Sequence, residues 1–185
     1  MSISSKISNS SDSLIVGNIL GASSVAILYV SQMPGALIYQ FIWKIADNSS
    51  PALNELFANK LINSLHNNYL KILKISVIMV IPLALGLFNF NDQFVGLWSG
   101  PETFAGFSFN LLFSLYCITQ VIVHLNILSI VVFGDIKRIS IFTFILCVIK
   151  VVFCYLFLDR MGLYAIVLSN LIIDIPLLIY SQILL

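Results

Sequence analysis

Residues 140–180 read SIFTFILCVIKVVFCYLFLDRMGLYAIVLSNLIIDIPLLIY, two apolar runs separated by the short joint DRMG at residues 159–162. The runs, 140–158 and 163–185, are each close to the ~20 residues that a transmembrane helix needs. A joint of this length turns the chain back on itself, because two antiparallel helices are commonly connected by two to five residues. We therefore predict a hairpin of two neighbouring membrane-spanning helices.

Two charged residues, Lys150 and Asp174, fall inside this hairpin. Lys150 is predicted roughly 12 Å below the nearer membrane face, with Asn170 at a similar depth, and Asp174 lies about 6 Å deeper, within reach of a lysine stem. A charge at mid-bilayer costs about 2.5 to 3.5 kcal/mol on insertion scales, so it should face protein and have a partner. We predict that Asp174 is the nearest partner of Lys150. The alternative is a snorkelling lysine and a separately buried aspartate.

The composition is that of an integral membrane protein. Hydrophobic residues make up 59% of the 185 residues and charged residues only 9%, whereas a soluble domain carries roughly 25% charge. The sequence has no basic run or aromatic-interleaved patch, so we expect no nucleic-acid partner. The three cysteines, Cys117, Cys147 and Cys154, lie in apolar runs without a histidine at metal-ligand spacing, and we expect no metal site.

The N-terminal region requires two helices. Residues 14–43 are mostly apolar, yet about 30 residues are too many for one untilted span and too few for two. Glycines and a serine pair within residues 17–24 mark a break. We predict a first helix over 3–20 and a second over 22–46. The first contains Asp12 and is too polar to face lipid, so it should line a cavity or contact other protein; the alternative is a disordered tail with a re-entrant turn.

An amphipathic helix is predicted after the second span. Ser50 and Pro51 are the residue types of an N-cap and a first helical position. Large apolar residues then repeat every four positions on one face, and polar residues repeat on another, which is typical of a helix lying at the membrane interface. The apolar positions are Leu53, Phe57, Leu61 and Leu65. A third span over 75–90 follows and ends in a turn at residues 98–101.

The fourth span is predicted over residues 104–133 and carries His124 and Asn126 near its end. We interpret His124 as a packing residue, because no second histidine or carboxylate lies one turn away. Asn126 is expected to hydrogen-bond a neighbouring helix. A short loop at 134–138 leads to the hairpin. The predicted fold class is all-α: one lobe over residues 1–185, a polytopic bundle of about six transmembrane helices plus the interfacial amphipathic helix.

Basic residues are distributed unequally between the two sides of such a bundle. Seven fall on one side, namely Lys6, Lys44, Lys60, Lys71, Lys74, Lys137 and Arg138, whereas only Arg160 falls on the other. Lys150 is excluded because it lies within the membrane. Since short cytoplasmic loops carry an excess of lysine and arginine, the first side and both termini are predicted to be cytoplasmic.

Five segments, taken in order, resemble landmarks of a known family. They are SDSLIVGNILGASSVAILYVSQ (11–32), SPALNEL (50–56), VGLWSGPETFAG (95–106), GDIK (134–137) and FLDRMGLYAIVLSN (157–170). Their order and spacing resemble those of polysaccharide-transporter flippases, the branch of the multidrug/oligosaccharidyl-lipid/polysaccharide exporter superfamily that includes O-antigen flippases. The resemblance covers nearly the whole chain and is to the C-terminal lobe, whose first helix carries an aspartate that Asp12 matches.

This resemblance implies a transporter rather than an enzyme. Members of the family have two lobes of about six helices around a cavity, so this chain is expected to be a fragment or half that pairs with a second lobe. The implied function is to move undecaprenyl-diphosphate-linked sugar units across the inner membrane for surface polysaccharide, such as the O-antigen of lipopolysaccharide. The expected partners are the lipid-linked oligosaccharide, membrane lipids and the second lobe.

Five residues are the implied cavity candidates: Asp12, Asn18, Lys150, Asn170 and Asp174. Lys150 would attract the diphosphate, and the two aspartates would balance its charge or take up a coupling cation, either proton or sodium. The two asparagines would bond sugar hydroxyls. No other cofactor is implied.

Three alternatives stay open. A multidrug or cation antiporter lobe would use Asp174 as its proton- or sodium-binding carboxylate. A non-transporting membrane assembly protein would have no need of a lysine-aspartate pair in a cavity. An intramembrane sugar or acyl transferase is disfavoured, because Asp92 and Asp159 are isolated and no loop holds a His-Asp pair or paired carboxylates.

The topology can be tested with single cysteines at positions 60, 137, 102 and 160, in a background lacking the native cysteines. In intact spheroplasts, a membrane-impermeant maleimide should label positions 102 and 160, because these lie on the predicted periplasmic side. It should not label positions 60 and 137, because the excess of basic residues predicts that their side is cytoplasmic. Labelling at position 60 without labelling at position 102 would reverse the assigned orientation.

Overall fold

Apolar runs separated by short polar joints produce a chain of helices. The computed structural model describes residues 3–132, 134 and 136–184, and within these it contains six α-helices, one 3-10 turn and no strand. The helices are α1 (Ile3–Ile19), α2 (Ala22–Ala58), α3 (Ile62–Ser99), α4 (Phe107–Val132), α5 (Ile136–Met161) and α6 (Tyr164–Leu184), with the 3-10 turn at Pro101–Thr103. The predicted all-α class is confirmed. The predicted span ends at residues 133 and 185 lie outside the described residues.

Five of these helices, α2 to α6, are long and apolar enough to cross a membrane. The chain is therefore a multi-pass helical membrane protein. The remaining helix, α1, has 17 residues and is the polar segment predicted over 3–20. Its break from α2 falls at Gly21, whose φ of 87° is a conformation that glycine adopts without strain.

The amphipathic segment is not a separate helix, which corrects the prediction. α2 continues through Ser50 and Pro51 to Ala58, and α3 begins at Ile62 after a turn in which Lys60 has a φ of 58°. Packing explains the continuity, since Ala46 and Leu53 on either side of Pro51 are both buried and tertiary contacts override a local stop signal. α2 and α3 are each roughly 55 Å long, well beyond a ~30 Å hydrocarbon core.

The helices pack in a closed ring, which α1 completes by lying between α5 and α2. α4 is central and packs against α2, α3 and α6, while α5 packs mainly against α6. α1 lies against both α5 and α2. The polar helix therefore joins the C-terminal hairpin to the N-terminal part of the bundle.

We name the two ends of the bundle by their charges. The basic end lies at the joints after α2 and α4, with Lys60 in the first joint and Lys137 in the first turn of α5. The acidic end lies at the joints after α3 and α5, with Glu102 in the 3-10 turn and Asp159 in the last turn of α5.

Three buried polar residues connect α2, α3 and α4 near the acidic end. The Asn91 amide donates to the Ser31 carbonyl at 3.1 Å and to the Asn110 side-chain oxygen at 2.8 Å. Asn110 in turn donates to two α3 carbonyls at 3.2 and 3.0 Å. The Ser31 hydroxyl donates to a carbonyl of the 3-10 turn at 3.1 Å. Backbone groups freed near the turn are thereby satisfied within the protein, as lipid requires.

We predict that Asn110→Leu lowers the free energy of unfolding by about 2 kcal/mol, because it removes three interhelical hydrogen bonds of roughly 0.6 kcal/mol each on average. Thermal unfolding of the purified protein in detergent measures this. Asn89→Leu is the matched control, since the exposed Asn89 amide donates only to a carbonyl of its own helix. Equal losses in the two variants would contradict the assigned role of Asn110.

Candidate functional site in the membrane interior

The C-terminal hairpin has a fixed register. The Cys154 thiol donates to the Ser169 hydroxyl at 3.0 Å, and the Phe142 and Tyr180 rings pack in a tilted arrangement with centroids 4.3 Å apart. In an antiparallel pair, each step back along one helix matches a step forward along the other. Lys150, one turn before Cys154, is therefore level with residues 172–173 of α6, next to Asp174.

Lys150 is the most deeply buried charge in the described chain. Its side chain is 0% exposed, and its ammonium lies 2.7 Å from an Asp12 carboxylate oxygen. Asp12 is on α1, so the ion pair links α1 to α5. A lysine in this position cannot snorkel to either interface, which removes the alternative in which the lysine reaches water alone.

The predicted partner of Lys150 is therefore corrected from Asp174 to Asp12. The Asp174 carboxylate, 2% exposed, instead accepts hydrogen bonds from two residues of α4. The Thr119 hydroxyl donates at 2.8 Å, and the Gln120 amide donates to both oxygens at 2.9 and 3.0 Å. The predicted depths are also corrected, because the register brings Lys150 within one or two residues of the level of Asp174, closer than the predicted offset of about 6 Å. The actual partners come from α1 and α4, which the hairpin sequence does not contain.

The two asparagine candidates occupy different environments. Asn18 is exposed near the end of α1, whereas Asn170 is half-buried and lies one turn before Asp174 on α6. Among the described residues, neither side chain makes a hydrogen bond. The structure thus pairs Lys150 with Asp12 and places Asp174 within one or two residues of the level of Lys150 on the adjacent helix α6. We call these three residues the charged cluster; Asn170 lies one turn before Asp174, and Asn18 lies outside the cluster.

His124 has a partner that sequence reasoning missed. Its Nε2 lies 2.7 Å from an Asp47 carboxylate oxygen, and its ring stacks on Trp43 with centroids 4.5 Å apart. Trp43 and Asp47 are one turn apart on α2, so both reach the same side of α4. The Trp43 indole also donates to the Gln120 carbonyl at 3.2 Å. The only sequence signal for this contact was the four-residue spacing of Trp43 and Asp47 on α2.

Asn126 makes the predicted bonds to neighbouring helices. It accepts from the Tyr69 hydroxyl of α3 at 2.6 Å and donates to the Ser181 hydroxyl of α6 at 2.7 Å. This residue therefore stabilises the basic end of the bundle. The three cysteines, Cys117, Cys147 and Cys154, are all buried.

A cavity of about 170 Å³ opens near these residues. Its lining is mainly apolar and comes from α2, α3, α4 and α6: Leu53, Leu65, His66, Tyr69, Leu70, Leu73, Ser129, Val132 and Gln182. It contains none of Asp12, Lys150 or Asp174. We therefore take the charged cluster, and not this cavity, as the candidate site. The described residues also show no group of three or more histidine, cysteine, aspartate or glutamate side chains placed to hold a metal ion.

The fold and the site together define a polytopic α-helical membrane protein with an ion pair in its interior. Comparison with known proteins adds no closer assignment: no protein-family model, curated protein or solved structure matches the chain.

We predict that Lys150→Ala lowers the free energy of unfolding by about 3 to 5 kcal/mol, because it leaves Asp12 buried without its partner. The Asp12→Ala/Lys150→Ala double variant should unfold at a higher temperature than Lys150→Ala alone. Thermal unfolding in detergent measures both. Additive losses would mean that the two side chains contribute independently and that the ion pair is not the reason for the effect.

Proposed function

We propose that the chain is one lobe of a flippase that moves undecaprenyl-diphosphate-linked sugar units across the cytoplasmic membrane for surface polysaccharide synthesis. The observation that carries this proposal is the Lys150–Asp12 ion pair, a buried cation on α5 held by a carboxylate on the short helix α1. The resemblance of the five sequence segments supports the same function. We further propose that both termini lie in the cytoplasm.

The substrate's charge explains why such a protein needs an internal lysine. A diphosphate must cross a hydrocarbon core of ~30 Å, where an unshielded anion is prohibitively costly. A fixed ammonium along the path lowers that cost, because charge-assisted bonds to phosphate oxygens are roughly twice as strong as neutral ones. Lys150 lies near the middle of the 26-residue helix α5, which is the depth at which shielding is most needed.

We propose that the substrate anion takes the position at Lys150 that the Asp12 carboxylate occupies. The lysine is fully buried and already paired, so a diphosphate binds only when it replaces the Asp12 carboxylate. Replacement exchanges one anionic partner for another and never leaves the ammonium bare, which keeps the energetic cost of the exchange low. The half-buried Asn170, beside the cluster on α6, supplies an amide for a sugar hydroxyl.

A cavity around Lys150 requires more protein than this lobe. We propose a second lobe, on the same chain or a separate one, facing α1 and α5. α1 has exposed side chains, including Leu14 at 73% and Asn18, and it covers Lys150 from that side. The exposed face of α1 is thus the surface through which substrate would approach.

A second candidate is cation antiport, and the Asp174 environment favours it. Asp174 is held by the neutral donors Thr119 and Gln120, and these bonds fix the geometry of the carboxylate without neutralising its charge. A buried carboxylate of this kind takes up a proton or sodium ion as its counter-charge. In the flippase, the same residue would serve as the coupling site.

We predict that Lys150→Ala, in the complete protein that contains this chain, abolishes surface polysaccharide and causes lipid-linked oligosaccharide to accumulate on the cytoplasmic leaflet. Lys150→Arg should be partly active, since it keeps the charge but not the shape of the ammonium. Immunoblots of surface polysaccharide and leaflet-specific labelling of the lipid-linked sugar measure the two effects.

The control is the Asp12→Asn/Lys150→Met double variant, which removes both charges and leaves no unpaired ion. If Lys150 acts on the substrate, this variant assembles normally but does not export. If export returns in the double variant, Lys150 has a structural role only and the proposed mechanism is wrong. Unchanged export in Lys150→Ala at normal abundance would also contradict it.

A further inference from the structure

We infer that Lys150 has two alternative carboxylate partners, Asp12 on α1 and Asp174 on α6, and that Asp174 accepts the ammonium when Asp12 is withdrawn. The Lys150 ammonium would then pair with Asp12 when α1 is packed against the bundle and with Asp174 when α1 is not. The inference concerns the fold and does not depend on the identity of the transported substrate.

The register of the hairpin places the second partner at the correct depth. The Cys154–Ser169 bond and the Phe142–Tyr180 ring contact align α5 with α6, so Lys150 is level with residues 172–173, next to Asp174. Residues at one level of a packed helix pair are separated mainly by the 8–10 Å between the helix axes. A lysine side chain with four rotatable methylenes spans most of that separation.

The Asp174 carboxylate has room for one more donor. Its two oxygens offer about four lone-pair sites, and Thr119 and Gln120 fill three of them. The remaining site suits an ammonium, because it completes the bonding of a buried anion. Thr119 and Gln120 also hold the carboxylate in place, so it does not have to reorganise to receive the lysine.

α1 is the helix that would move in such an exchange. It is the shortest α-helix in the described chain and packs only against α5 and α2 as principal neighbours. It is docked by its ion pair with Lys150 together with the packing of Val16 in the core. When the lysine turns to Asp174, α1 loses that contact while the ammonium stays paired, and the bundle never contains an isolated cation.

The test replaces the two aspartates singly and together in the complete protein. The yield of folded protein is measured by size-exclusion chromatography in detergent. Asp12→Asn and Asp174→Asn should each reduce the yield of folded protein by less than about twofold, because the other aspartate keeps Lys150 paired. The Asp12→Asn/Asp174→Asn double variant should reduce it by about tenfold or more, because the lysine is then buried without a counter-charge.

Two further variants make the result specific. Lys150→Met in the double-asparagine background should restore the yield, since it removes the unpaired cation. Asp12→Asn combined with Asp47→Asn should show only additive losses, because Asp47 is an exposed carboxylate that pairs with His124. A loss of polysaccharide export in any of these variants would test the proposed function and not the pairing of Lys150, which is measured by the yield of folded protein.

The inference is overturned by either of two results. If Asp12→Asn alone is as damaging as the double variant, Asp174 does not accept the lysine. If the double variant loses no more than the product of the two single losses, the carboxylates act independently and Asp174 is not a partner of Lys150.

Discussion

A cation in hydrocarbon needs an anion within reach, and much of this bundle follows from that requirement. Lys150 is fully buried at the middle of α5, where leaving it unpaired would cost several kcal/mol. Asp12 meets the requirement from α1 at 2.7 Å. A helix as polar as α1 is retained in an apolar bundle because it delivers this carboxylate.

The same requirement explains how α1 is oriented. Asp12 and Val16 are both buried, at 8% and 0% exposure, and lie one turn apart on the same face. Leu14, on another face, is 73% exposed. The charged contact and the apolar contact thus act together on a single stripe, and α1 needs no long apolar surface of its own to hold its place between α5 and α2.

The sequence allowed most of the helices to be predicted but few of their partners. Apolar length and glycine breaks determine where α1 and the hairpin begin and end, because these signals are local. The partner of Lys150 is 138 residues away and that of His124 is 77 residues away, and no periodicity records which faces meet. Asp174 was preferred because the hairpin was the only contact that the sequence itself assured.

Pro51 shows the opposite error, in which a local signal was given too much weight. Serine followed by proline is a sound start signal for an isolated helix. Here the segment continues an existing helix, since buried residues on both sides hold α2 against its neighbours. The signals for where a helix begins are reliable only when no packed surface extends across them.

The separation of Asp12 and Lys150 along the chain also sets the order of biogenesis. The two residues are 138 positions apart, so at translation rates of about 5–20 residues per second Asp12 is made on the order of ten seconds before its counter-ion. During that interval α1 cannot take its final place in the lipid. Within this bundle α1 thus obtains the partner of its carboxylate only after α5 is made, and a chain that stops before α5 lacks that partner.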